Sequence, residues 1–76
     1  VEHKRKALDA AVAALTRARE LAPKDAGYAA DLCRATVDRD PKAAAGVTTC
    51  RAALALDGQN ALARYVLGKA LVARGE

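Results

Sequence analysis

The sequence predicts an all-α fold of about four antiparallel helices, and three observations lead there. Alanine, the residue with the best intrinsic helix propensity, occurs 21 times in 76 residues. Pro23, Asp40-Pro41 and Gly58 cut the chain into four segments, each as long as an ordinary helix. The chain also matches itself when shifted by 35 residues. Leu21 falls on Leu56, Leu32 on Leu67, Val12 on Val47, Val37 on Val72 and Arg39 on Arg74.

The breakers place helices at about 3–22, 26–39, 42–57 and 60–74. In the first, Leu8, Ala11, Val12, Leu15, Ala18 and Ala22 recur at the 3.6-residue period of an amphipathic helix. Asp25 is placed to cap the second by accepting a backbone N–H that has no intrahelical partner. Asp40 is expected to cap the third, with Pro41 at the first helical position, where a missing N–H costs nothing. Asn60, or Asp57 before it, is expected to cap the fourth. Arg17, Arg19, Arg39 and Arg74 lie near helix ends, where cations complement the macrodipole. Linkers this short force consecutive helices to run antiparallel.

A chain of this size buries only about 60% of its extended surface, so it is one small domain of marginal stability. Ile, Ser, Phe, Met and Trp are absent. The core is therefore expected to rest on the few large groups: Leu8, Leu15, Leu21, Tyr28, Leu32, Leu54, Leu56, Tyr65, Leu67 and Leu71. The fourth helix is apolar most of the way around, and a helix of that kind is expected to be buried against something. The bias toward Ala, Arg, Val, Asp and Gly points to a high-GC, bacterial source. Lacking an initiator Met and a signal peptide, the chain is expected to be a module or fragment of a longer protein, or a processed form.

The formal charge is +4, much of it in His3-Lys4-Arg5-Lys6, which reads as a solvated helix start. Nucleic-acid binding ranks last, because aromatic stacking residues and a reading helix are missing. No apolar run approaches the roughly 20 residues of a membrane span. His3 has no His or Cys partner at metal-ligand spacing. There is no serine, and no glycine-rich loop followed by lysine to cradle phosphate. Thr48 and Thr49 beside Cys50 lack a base. Asp31 and Asp38 have Arg34 and Arg39 as neighbours, which reads as exposed i,i+3 ion pairing rather than acid–base chemistry. No catalytic, cofactor-binding or metal site is read from the chain, and no enzyme is expected.

Cys33 and Cys50 stand eight and nine residues from Pro41 on either side, at one level of an antiparallel hairpin. Two readings stand. The favoured one is a pair of reduced thiols, small hydrophobes filling a close helix contact. The alternative is a disulfide stapling a small domain in an oxidising compartment. The location is correspondingly expected to be cytoplasmic, or periplasmic or extracellular if the two cysteines are bonded.

The order of small and large residues resembles that of tetratricopeptide (TPR) repeats over nearly the whole chain. The resemblance enters out of phase. The first helix is similar to a B helix, with Ala11, Leu15, Ala18, Leu21 and Pro23 in place. The second is similar to an A helix, with Leu32 and Cys33 where the family has Leu-Gly. Gly46, Cys50, Ala53, Leu56 and Gly58 then match a B helix, and Leu67, Gly68 and Ala70 an A helix. Ala29 and Arg64 stand where the family has a large aromatic, and Gly58 where it has proline. The 35-residue period is one longer than the family's 34.

The resemblance implies a single TPR-like domain over 1–76 that acts as a protein-interaction scaffold. A helices would line its groove, which brings in Ala30, Asp31, Arg34 and Val37 with Leu62, Tyr65, Val66, Lys69 and Val72. Arg34 and Lys69 lie one repeat apart and would hold an acidic or carboxylate-ended peptide. The partner-binding set is therefore Asp31, Arg34, Leu62, Tyr65, Val66 and Lys69. The alternative function is a structural homo-oligomerisation domain that associates through the apolar fourth helix.

Overall fold

The computed structural model describes residues 2–75, with side chains from Arg5 onward; His3, whose side chain was read as solvated, lies outside that set. The described residues form four helices and no strand: α1 (Glu2–Leu21), α2 (Ala26–Arg39), α3 (Ala44–Leu56) and α4 (Ala61–Ala73). The all-α expectation holds. α2 is the hub. It packs against α1, α3 and α4, α3 and α4 also touch, and α1 leans on α2 alone.

The three linkers share one construction. Each is a β-turn closed by a backbone bond: Asp25 N–H to Ala22 O (3.0 Å), Ala43 N–H to Asp40 O (3.2 Å) and Asn60 N–H to Asp57 O (3.1 Å). The last residue of each turn is the N-cap of the next helix. At two of them the expected cap forms. Asp25 Oδ1 accepts from Tyr28 N–H at 3.1 Å, and Asn60 Oδ1 accepts from Ala63 N–H at 2.9 Å.

The third linker departs from expectation. Asp40 does not cap α3, and α3 begins at Ala44 rather than at 42. Asp40 instead closes α2, its N–H bonded to Thr36 O, with an extended backbone (φ −152°, ψ 93°). The turn rather than the proline sets this backbone, since Asp57 closes α3 in the same extended conformation (φ −150°, ψ 96°) although Gly58 follows it. Pro41 then takes the second position of the turn, where its fixed φ fits. Asp40 Oδ1 accepts from Lys42 N–H at 3.2 Å, as Asp57 Oδ1 accepts from Gln59 N–H at 3.0 Å. The N-cap of α3 is Ala43, which has no side-chain oxygen to offer. α4 ends where Gly75 adopts a left-handed φ of 82°, a conformation that glycine reaches without strain.

The core is not made of the residues expected to make it. Leu21 is 71% exposed, and Tyr28, Leu56 and Tyr65 are exposed as well. Leu8, Leu15, Leu32, Leu54, Leu67 and Leu71 are only half-buried. The buried centre is Ala29, Ala30, Cys33, Val37, Cys50, Ala53, Ala63, Val66 and Ala70. Small residues occupy the contact lines because they let the helix axes approach. Large side chains cannot fit between axes so close, so they flank the contact and cover its edges.

Charged pairs also differ from expectation. The ion pairs among the described residues are Arg17–Glu20 (3.6 Å) and Arg39–Asp9 (3.4 Å). Asp31 and Arg34 do not pair, and Arg39 reaches across to α1 instead of to Asp38 on its own helix. Both described pairs are solvent-exposed and contribute little to stability.

Candidate interaction surface

The α2–α3 hairpin fixes the reference geometry. Cys33 and Cys50 are joined by a disulfide, with Cα atoms 4.6 Å apart and both side chains fully buried. The symmetric placement about Pro41 is thus realised as the bonded alternative, and the favoured reading of two free thiols is corrected. One turn further on, Gly46 of α3 sits on Val37 of α2. A Cβ at Gly46 would lie 2.8 Å from Val37 Cγ2, so only glycine fits without movement. Cys33 facing Cys50 and Val37 facing Gly46 show that the two helices run antiparallel, and Ala29 and Ala30 lie buried on the same helix.

Thirty-five residues on, the same positions of α4 are Arg64, Tyr65, Gly68 and Val72. Here they face outward. Tyr65 is 67% exposed and Val72 77%. A Cβ at Gly68 would meet nothing within 4 Å. Arg64, Tyr65, Gly68, Lys69, Val72 and Ala73 line an open groove of about 650 Å³. The floor is apolar, and Arg64 and Lys69 stand along it. Lys69 Nζ lies 5.5 Å from the centroid of the Tyr65 ring, within range of a cation–π contact.

The expected groove residues divide on this geometry. Tyr65, Lys69 and Val72 lie together on the exposed face of α4, and Arg34 is exposed on α2. Asp31 and Leu62 are half-buried, and Leu62 packs against the core. Val66, expected to touch a partner, is 3% exposed and belongs to the core. Ala30 and Val37 are buried too. Each of the three is turned inward, α2 being packed against α3 and α4, so none can meet a ligand from solvent. Arg64 and Gly68 were missed as lining residues. Their signal was present in the spacing 61, 64, 65, 68, 69, 72, one stripe of a 3.6-residue helix.

The outer face of the fourth helix was expected to meet something outside this chain, the next repeat, a second copy or a partner. The helix is buried on one side only, through Ala63, Val66 and Ala70. No described helix is long and apolar enough to cross a membrane, and no group of three or more metal-ligating side chains occurs among the described residues. Comparison with protein-family models, curated proteins and solved structures finds no match to this chain.

Proposed function

We propose that the domain is a protein-interaction scaffold, not a catalyst, and that it binds an acidic or carboxylate-ended peptide along α4 beside Arg34 of α2. The observation that carries this reading is the exposed groove of α4. Tyr65 and Val72 stand largely exposed along it, rimmed by Arg64 and Lys69. Tyr65 and Val72 supply apolar contact there, and Lys69 and Arg64 supply charge. Arg34 adds a cation that forms no ion pair among the described residues. The TPR-like order of residues supports the same class of function, since A-type helices would carry both cations.

The disulfide supports an oxidising location, periplasmic or extracellular, over the cytoplasmic one. The test of the scaffold reading is fluorescence anisotropy against a panel of synthetic peptides, acidic and basic, with free and amidated C-termini. Acidic peptides should bind in preference. Arg34→Glu and Lys69→Glu should each weaken them, most at low salt. Equal binding of all peptides, or affinity indifferent to both reversals, refutes the groove.

A further inference from the structure

The 35-residue repeat relates α1 to α3 as well as α2 to α4. Gly46, Cys50 and Ala53 are the buried residues of α3, and Cys50 and Gly46 face α2. Their equivalents on α1 are Ala11, Leu15 and Ala18. These three are only half-buried, because α1 touches α2 alone and has no helix on the side that corresponds to α3's seat. The domain therefore presents two unfilled halves of one contact. α1 carries the inserting half, and α4 carries the receiving half, Arg64, Gly68 and Val72.

We propose that these halves meet between copies of this chain, with α1 of one copy lying antiparallel on α4 of the next, in the register of α3 on α2. Leu15 then falls where Cys50 stands, and Gly68 where Cys33 stands. The sizes are complementary. Two medium side chains fill the intramolecular contact, and a large one against a glycine fills the contact between copies, where Gly68 leaves open space. Ala11 comes to rest by Val72, and Ala18 by Arg64 and Tyr65. The contact uses different surfaces on its two sides, so it is heterologous, and repetition of it extends a filament rather than closing a dimer. It continues an interface already present within the chain.

Charge sets the salt dependence. Each copy carries a formal +4, and the register brings Arg19 near Arg64. Apolar contact must overcome that repulsion, so association should strengthen as salt rises. An acidic peptide in the groove would show the opposite trend. The inference does not rest on the peptide reading, and the two separate on this sign.

The experiment is sedimentation of the intact domain from micromolar to millimolar concentration, at low and high salt. Average mass should climb past that of a dimer, more so at high salt. Gly68→Gln should weaken growth by about tenfold or more, because it fills the space that receives Leu15. It should leave melting unimpaired, since nothing lies near that Cβ. Leu15→Cys mixed with Gly68→Cys should form a mixed disulfide under mild oxidation, whereas the exposed control Ala10→Cys should not. A constant monomer mass overturns the proposal. So does growth that weakens with salt or is indifferent to Gly68→Gln. Preferential Gly68→Cys self-linkage also overturns it, because that places α4 against α4.

Discussion

In α2, Cys33 lies closed beneath α3 and bonded to it; thirty-five residues later, Gly68 of α4 looks into open space. The two helices occupy equivalent places in the 35-residue repeat. They differ in what lies over these positions. Under α3, the sequence supplies alanine, cysteine and valine at positions 29, 30, 33 and 37. At the equivalent positions of α4 it supplies arginine, tyrosine, glycine and valine. A seat that is always filled can be small and apolar throughout. A seat open to water carries polar heads on apolar stems, which let a surface remain solvated and still offer contact area. The difference between the helices places the closed, crosslinked contact in the hairpin and the open face on α4.

The comparison is broken most strongly at the disulfide. Replacing both cysteines by alanine should lower unfolding free energy by roughly 3 kcal/mol, as expected for a crosslink of this loop length. The bond spans 17 residues and sits at the centre of the core. Urea titration of the wild type and the double variant measures it, and a loss below about 1 kcal/mol would show that packing alone holds the hairpin.

Glycine substitutions sharpen the contrast between the two faces. Gly46→Ala forces a methyl against Val37, and should cost about 1–2 kcal/mol after its gain in helix propensity. Gly68→Ala meets nothing, so it should stabilise a dilute sample by about 1 kcal/mol. Opposite signs from the same chemical change are the expected result. Matching signs, read from melting curves, would mean that the faces do not differ in this way.

The smallest effect concerns the turn at which the third helix starts. Ala43 is the one N-cap of the three without a side-chain bond. Ala43→Asp should add about 0.5–1 kcal/mol by accepting a first-turn N–H. The gain is limited because Gly46 N–H already reaches Ala43 O at 3.2 Å and the site is half-buried. A stability unchanged within error would imply that the turn geometry keeps the carboxylate from that N–H.

Local chemistry made much of the fold legible. Asp25 and Asn60 read as caps because their side chains act within three residues of themselves. Asp40 misled for an equally local reason. It opens a four-residue turn, as Asp57 does before Gly58, so the cap position falls three residues later, on Ala43. Leu21, Tyr28, Leu56 and Tyr65 were misread as core because size was taken as a sign of burial, whereas contact lines between close helices select for small side chains.

By itself the sequence determined the number of helices, their order, their antiparallel sense and the level at which Cys33 meets Cys50. Those follow from breakers, caps, short linkers and periodicity, all of which act over a few residues. Only the tertiary structure decided which residues are buried, that Val66 turns inward while Tyr65 beside it turns out, and that Gly46 is crowded while Gly68 is free. Those outcomes depend on which neighbouring helix covers which face. Such contacts join residues far apart in the chain, and no local pattern of residue types encodes the distance between two helix axes.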